Sequence, residues 1–394
     1  MKSPAASILT AGRDKPYALG LAAALVAAGE PFDFIGSNEV DSPSLHQQPL
    51  VNYLNLRGDQ SVSAGAVKKM GRVLVYYFRL LTYTLTARPK VFHILWNNKF
   101  ELFDRTVLMV FYKLLGKKIA FTAHNVNVKA RDGGDSWLNH ATLKFQYHRC
   151  DHVFLHTERM RQELITQFDF PAAKTSVIPF GINNTVPSTA LTGAAARQKL
   201  GLAAADKVIL FFGNIAPYKG VEFLVDAFES LAVTDEKLRL IIAGRPKGEE
   251  VYWAGLLEKI NRSAARNRVI LKIEYVPDAE TEIYFKAADV LVLPYTHIFQ
   301  SGVLFLGYNF GVPVVVSDVG ALKDDILEGK TGFVCAPKDA ASLAAALQKY
   351  FSSDLFLRLA TRRQEILDFA NDRYSWSKVA AITTGVYHQL IRKK

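Results

Sequence analysis

Short runs of Val, Ile, Leu and Phe alternate with longer helical stretches along most of the chain, and the alternation runs twice. In the first half the apolar runs are "SILTAG", "PFDFIG", "VFHILW", "KIAFTAH", "HVFLH" and "TSVIPF", and the helix "YALGLAAALVAAG" ends at Gly29. In the second half they are "KVILFFG", "LRLIIAG", "RVILKIEYV", "DVLVLPY" and "PVVVSD". Between these lie the helical stretches "GVEFLVDAFESLA", "YWAGLLEKINRSAA", "TEIYFKAA" and "GVLFLGYNF". Strands that read as continuous apolar runs between helices predict parallel sheets covered on both faces, an α/β doubly wound fold. The stretch "NNTVPSTALTGAAARQKLGLAAADK" is rich in small residues and lacks a strand pattern, which predicts a linker around residues 184–205. A chain of 394 residues suits two such domains. Ligands of these sheets bind beyond the carboxyl ends of the strands, so a cleft between the two domains is the expected site.

Composition narrows the class. With 49% hydrophobic and 22% charged residues the chain reads as globular. Lys2 is followed by only a short apolar run, broken by Arg13-Asp14-Lys15, so no secretory signal is expected, and no apolar run is long enough for a spanning helix. Cys150 and Cys335 stand far apart in apolar contexts and read as reduced core thiols of a cytosolic protein. The net charge of +11 is uneven, because residues 1–190 hold 22 Lys and Arg against 14 Asp and Glu. A basic half fits nucleic acid, an anionic membrane surface or a phosphorylated ligand. No nucleic-acid module or stacking pattern supports the first.

The motifs cluster in the second half. In "FFGNIAPYKGVEFLVDAF" a strand ends at Gly213, a turn carries Asn214, and Lys219-Gly220 open a helix. A lysine at the positive end of a helix is poorly placed unless both attract one anion, such as a diphosphate, which Gly213 would let approach the backbone. "LIIAGRPKG" ends a strand at Gly244, and Val276-Pro277-Asp278 form a turn that could offer backbone groups to a planar base. In "HIFQSGVLFLGYNFGVPVVVSDVG" a helix opens on Gln300-Ser301-Gly302, where free N–H groups favour an anion. Yet no acidic residue lies between Tyr295 and Ser317. "SDVGALKDDILEGKTGFV" reads as a tight turn followed by an amphipathic segment.

In this order and spacing the second half resembles the nucleotide-sugar domain of the retaining glycosyltransferases of family four, which have the GT-B fold. The match covers residues 206–335 and extends more faintly to "VFHILW", "TAHN", "DHVFLHTERMRQEL" and "VIPFGIN". The closing "YSWSKVAAITTGVYHQL" resembles the family's C-terminal helix, which crosses back onto the first domain. The resemblance implies two Rossmann-like domains, residues 1–190 for the acceptor and 191–373 for the nucleotide sugar, with a returning helix over 374–394. Two departures stand out. The family's Arg in the loop before Lys219 is Asn214 here, which gives neutral hydrogen bonds in place of a bidentate clamp. The family's two glutamates, counted back from Gly311, fall at Ile298 and Leu306. The chain therefore reads as a subgroup without the paired-glutamate motif, with donor contacts expected from the N–H groups of Ser301, Gly302 and Val303, the Ser301 hydroxyl and Gln300.

In the first half the resemblance places Gly12 and Arg13, on the loop after the first strand, against the donor phosphate, and His124 near the donor sugar. His93 and His156 also end strands and read as structural. On a helix, Lys68, Arg72 and Arg79 fall within about 40° of one another, with Lys69 beside them and Tyr76, Tyr77, Phe78 and Tyr83 adding aromatic bulk. A second basic segment, "RTVLMVFYKLLGKK", ends on Lys117-Lys118. Both fit core helices with solvated basic edges, and both fit peripheral attachment to an anionic membrane on the acceptor side. The expected protein is cytoplasmic, with that attachment placing it on the inner face of the cytoplasmic membrane. It would move a sugar from a UDP- or GDP-sugar, a co-substrate and not a cofactor, to a glycan or lipid-linked glycan hydroxyl. No metal is expected, since Lys219 and helix N-termini can neutralise the departing diphosphate and no Asp-x-Asp motif occurs. A sugar-nucleotide epimerase of the same fold and a catalytically silent partner subunit are the alternatives.

Overall fold

The computed structural model describes residues 5–61, 65–127, 129, 134–182, 186–246, 248–298 and 300–392. Lys2, and Asn184 and Thr185 of the predicted linker, lie outside these. The chain forms two compact units, one of Met1–Gly181 with Tyr374–Lys394 and the other of Ile182–Arg373.

The first unit is a seven-stranded parallel sheet in the order β3-β2-β1-β4-β5-β6-β7. Its strands are β1 (Ala6–Leu9), β2 (Phe32–Gly36), β3 (Val51–Asn55), β4 (Val91–Ile94), β5 (Lys118–Ala123), β6 (His152–Leu155) and β7 (Thr175–Val177). The order reverses between β1 and β4, the topological switch point where such sheets open a crevice at their carboxyl ends. Helix Lys15–Ala27 lies on one face with the returning helix Trp376–Arg392 against it. Gly20 permits that contact, because a Cβ there would sit 2.1 Å from the Trp376 ring. His93 is buried between sheet and helix, joined to the Tyr387 hydroxyl at 2.6 Å and to Thr122 Oγ1 at 2.7 Å, as its structural reading required.

The second unit repeats the pattern with six parallel strands, β10-β9-β8-β11-β12-β13. They are β8 (Lys207–Phe212), β9 (Leu238–Ala243), β10 (Val269–Lys272), β11 (Val290–Leu293), β12 (Val314–Ser317) and β13 (Gly332–Cys335). Its switch point lies between β8 and β11. Cys150 and Cys335 are both buried free thiols.

Three elements differ from the sequence expectation. Strand β3 carries Asn52 and Asn55 and sits at the sheet edge, half-exposed, so it lacks an apolar run. Strand β13 replaces part of the expected turn and amphipathic segment. It begins on Gly332 because a Cβ there would meet the Val314 carbonyl oxygen of the neighbouring strand at 1.9 Å. Within the predicted linker a helix forms over Gly193–Lys199, capped by Thr192, whose hydroxyl accepts from the Ala195 N–H. It packs on helix Asp278–Ala287 of the second unit, and its Arg197 pairs with Asp289 at 2.7 Å.

Candidate functional site

In the second unit the candidate residues gather at the carboxyl ends of β8, β9 and β11. Gly213 and Gly244 follow β8 and β9 at φ 120° and 149°, conformations that suit glycine. A Cβ on Gly244 would meet the Gly213 carbonyl oxygen at 1.8 Å, so the two backbones touch and leave the strand ends bare. Asn214 is exposed in the turn beyond, and Val276 is buried just before Pro277 leads into helix Asp278–Ala287.

Lys219 closes a short 3₁₀ turn, Pro217–Lys219, and Gly220 at φ 63° starts helix Val221–Ala232. That glycine lies so close to Pro294 that a Cβ would be 2.0 Å from its carbonyl oxygen. The turn is fixed further by the Thr296 N–H, which donates to the Tyr218 carbonyl at 2.9 Å. These contacts carry Lys219 onto the segment after β11. Its ammonium lies 3.8 Å from the Tyr295 ring centroid and 5.2 Å from that of Tyr218, and the residue is buried. A cation held over aromatic faces keeps its charge while losing water, which raises its pull on an anion.

The Tyr295 hydroxyl in turn lies 3.3 Å from Ser301 Oγ, at the cap of helix Gly302–Asn309. Ser301 is buried, Gly302 is exposed and Val303 half-buried, so the helix start presents its open position at the glycine. Ile298 and Leu306, at the family's glutamate positions, are buried and apolar. The fold nonetheless supplies a carboxylate from farther along the chain. Asp325, buried in the 3₁₀ turn Lys323–Asp325, accepts from Gln300 Nε2 at 3.4 Å, and leaves Gln300 Oε1 buried without a hydrogen-bond partner. Sequence reasoning missed Tyr295, Tyr218 and Asp325. Tyr295 had a signal, since an aromatic residue closes the apolar run "DVLVLPY".

In the first unit Gly12 follows β1 at φ 69°, with no space for a side chain because a Cβ would lie 1.7 Å from Gln60 Nε2. Arg13 beside it is exposed. His124 follows β5 and stacks on Trp96, with centroids 4.3 Å apart and planes 3° from parallel, while the Tyr17 ring meets its edge at 4.7 Å. His156, after β6, does more than hold structure. Its Nδ1 lies 3.3 Å from the Ile178 carbonyl, which can only accept, so that nitrogen carries the proton. Its Nε2 then accepts from His124 Nδ1 at 3.0 Å. The chain of donors leaves His124 Nε2 as a buried lone pair with no protein partner, the form that accepts from a hydroxyl. Burial, with His156 and His93 adding to it, holds the His124 pKa well below the usual range. Burial lowers that of His156 to about 4, against the bond to Ile178.

The basic candidates separate on helix Ala66–Thr86. Lys68, Lys69 and Arg79 are exposed, but Arg72 is half-buried and pairs with Asp59 at 2.7 Å, so the three-residue basic stripe loses its middle member. Tyr76 and Tyr77 are core residues, whereas Phe78 is 71% exposed. Lys117 is no solvated edge either. It is buried, its ammonium donates to the Ala87 and Pro89 carbonyls at 2.6 and 3.0 Å, and burial lowers its pKa. No helix among the described residues is long and apolar enough to cross a membrane.

Comparison with known proteins agrees with this geometry. Residues 16–186 match the model of "Glycosyltransferase Family 4" and residues 206–353 that of "Glycosyl transferases group 1". A D-inositol 3-phosphate glycosyltransferase of Corynebacterium urealyticum is 26% identical over 248 residues, covering 61% of this chain and 57% of that protein. The one from Kineococcus radiotolerans is 28% identical over 263 residues, 62% of this chain and 58% of the relative. The matched stretches thus span less than two thirds of these relatives. Sucrose-phosphate synthase from Thermosynechococcus elongatus superimposes with a TM-score of 0.77 at 20% identity over all of both chains. HepE of Anabaena, solved with UDP-glucose, gives 0.73 at 17% identity over 98% of this chain and 99% of that one. Parallel sheets of seven and six strands with the same reversal of order, the paired family matches and the neighbours' common architecture lead to one assignment: the chain belongs to the family-4 glycosyltransferases and has the GT-B fold.

Proposed function

We propose that the protein transfers a hexosyl group from a UDP- or GDP-sugar to a hydroxyl of a glycan or lipid-linked glycan, in polysaccharide or glycolipid synthesis. The observation that carries this reading is the joining of Lys219, through Tyr295, to the start of helix Gly302–Asn309. A desiccated cation beside free helix N–H groups is a site for a leaving diphosphate. Neighbours of this fold solved with UDP and UDP-glucose support the donor class.

In this reading the acceptor hydroxyl forms a bond to the anomeric carbon as the bond to the diphosphate breaks. Lys219 and the N–H groups of Gly302 and Val303 take up the charge on the leaving oxygen without a metal. Transfer with retention, as the family implies, would let a phosphate oxygen take the acceptor proton on the same face. His124 Nε2 accepts from a sugar hydroxyl and positions the ring. Val67, Leu74, Phe78 and Leu85 form an exposed apolar row on helix Ala66–Thr86, beside exposed Lys68 and Arg79, which supports docking on the inner face of an anionic membrane.

A thermal-shift panel of UDP-, GDP- and ADP-sugars tests the donor, because only a bound ligand raises the transition by mass action. One nucleotide class should stabilise the protein, and its sugar should appear on an acceptor. Conversion of the donor's sugar without acceptor would indicate an epimerase, and binding without any turnover a silent subunit.

A further inference from the structure

We propose that Trp376, the first residue of the returning helix, is a positioning residue that sets the His124 ring by way of Tyr17. The proposal rests on the glycosyltransferase reading only in giving that ring a sugar hydroxyl to meet.

The seat of Trp376 is shaped to its ring from two sides. A Cβ on Gly20, in helix Lys15–Ala27, would lie 2.1 Å from Trp376 Cζ2, and one on Gly181, beyond β7, would lie 2.4 Å from Cε2. Neither glycine has a positive φ, so the close approach and not the backbone conformation calls for it. Gly20 even stands inside a helix, where glycine is destabilising relative to alanine. The ring seated there meets Tyr17, with centroids 5.3 Å apart and planes at 65°. Tyr17 is buried and meets the His124 ring in turn at 4.7 Å and 87°. Trp96, Phe180 and His156 also pack on Tyr17, at 5.7, 5.6 and 5.7 Å.

His124 is thereby held in three ways. Trp96 stacks on its face, His156 takes the hydrogen bond from its Nδ1, and Tyr17 stands against its edge. The first two holds come from neighbouring strand ends. The third depends on the last helix of the chain, because Tyr17 leans on Trp376. Protein interiors pack as densely as crystals, so a ring that loses its support shifts and passes the shift to its neighbour. A misplacement of about 1 Å in a positioning group is enough to lower a rate about a hundredfold.

Plain core packing does not account for this arrangement. The cluster forms at the carboxyl end of the first unit's sheet, with Trp96, His124, Phe180 and Trp376 half-buried around buried Tyr17 and His156. The returning helix already has core residues farther along, Val379, Val386, Tyr387 and Leu390, which hold it on the sheet. A tryptophan at its first position, with two glycines clearing room for it beside a site histidine, is placed for the histidine.

The test follows the imidazole nitrogens of His124 in the whole protein by NMR, which needs no substrate. Rates are measured alongside with the nucleotide sugar that the thermal-shift panel selects. Trp376→Leu should move the His124 nitrogen shifts and lower kcat about tenfold, with KM for that nucleotide sugar changed by less than about twofold. Trp376→Phe should restore most of the rate. Tyr17→Leu should reproduce both changes from the other side of the contact, and it carries the test if Trp376→Leu does not fold. Leu390→Ala, a cut at the far end of the same helix, should lower stability and leave the His124 shifts in place. In a His124→Ala background Trp376→Leu should cost no further rate, because groups that act as one are not additive. An equal loss in that background overturns the proposal. So do His124 shifts that stay unmoved in Trp376→Leu and Tyr17→Leu, or that move as far in Leu390→Ala. Shifts that move as described, with a full rate in His124→Ala, uphold the positioning by Trp376 and sink instead the reading of His124 as a sugar contact.

Discussion

The two units share a strand order and differ in how they hold charge. The second unit holds buried charges in ion pairs, as in Arg197 with Asp289 at 2.7 Å and Lys286 with Glu282 at 2.7 Å, with Lys219 set over aromatic rings. The first holds Lys117 on backbone carbonyls and adds neutral histidines, with His93 and His156 buried and His124 half-buried, on three adjacent strands or just beyond them. Paired charges persist over a wide pH range. Neutral histidines hold only while water is not acidic enough to protonate them in the unfolded chain. One architecture thus tolerates two opposite solutions for a polar interior, and acid should tell them apart.

The largest expected effect is therefore on stability. Burial lowers the pKa of His93 to about 3 and that of His156 to about 4. Their stabilisation is complete above the unfolded value of about 6.5 and is lost as pH falls toward the folded values, at about 3 kcal/mol each by pH 4. Asp104 opposes them. Burial, only partly countered by Asn98 and Tyr77, raises its pKa to about 6, so it regains about 2–3 kcal/mol over the same range. Glu282 of the second unit is held at about 2, with burial outweighed by hydrogen bonds from Lys286 and Thr189, and loses its contribution only below about pH 4.5. Between pH 6.5 and 4.5 the first unit should weaken while the second does not. Peptide-resolved hydrogen exchange reads the two separately, and simultaneous opening of both units would break the contrast.

Next in size is the donor charge. Lys219→Ala should lower kcat by about a hundredfold, near 3 kcal/mol, with the fold intact. Arg13→Ala, on the exposed loop of the other unit, should cost far less. Steady-state rates with the preferred donor decide this, and equal losses would mean that the two units share the charge. His156→Phe should follow, at about 1–2 kcal/mol in kcat/KM. It removes the acceptor that fixes the His124 tautomer, so imidazole nitrogen shifts in the spectrum of His124 should change as well. A rate loss with the tautomer unchanged would reduce His156 to packing.

The same contrast explains what could be read from the chain. Most of the parallel strands were legible because fully buried strands are continuous apolar runs. Edge strand β3 and glycine-started β13 were not, since edges need little apolar surface and a close strand contact removes the side chain. In the second unit Gly213 and Gly244 were legible because their turns hold backbone conformations and close approaches that demand glycine. What the sequence hid were partners distant along the chain, such as Asp325 for Gln300. In the first unit Arg57, Asp59 and Lys99 meet only through folding. His156 was legible as a strand-end histidine, but its bond to His124 spans 32 positions.

The smallest expected effect sharpens the comparison most finely. Ser301 was expected to meet the donor directly, yet its hydroxyl lies 3.3 Å from that of Tyr295, the ring beneath Lys219. If that is its chief partner, Ser301→Ala removes one neutral hydrogen bond, about 0.5–1.5 kcal/mol, and the loss appears in stability. Donor affinity should then change by less than about threefold, because the N–H groups of Gly302 and Val303 remain. Tyr295→Phe should cost a similar amount, and the double variant should cost little more than either alone, the mark of two groups that share one interaction. Chemical denaturation gives the three stabilities and calorimetry the three donor affinities. Additive losses in stability would show that the hydroxyls act independently. A donor affinity that falls more than tenfold in Ser301→Ala alone would return the serine to the phosphate and make Tyr295 a bystander.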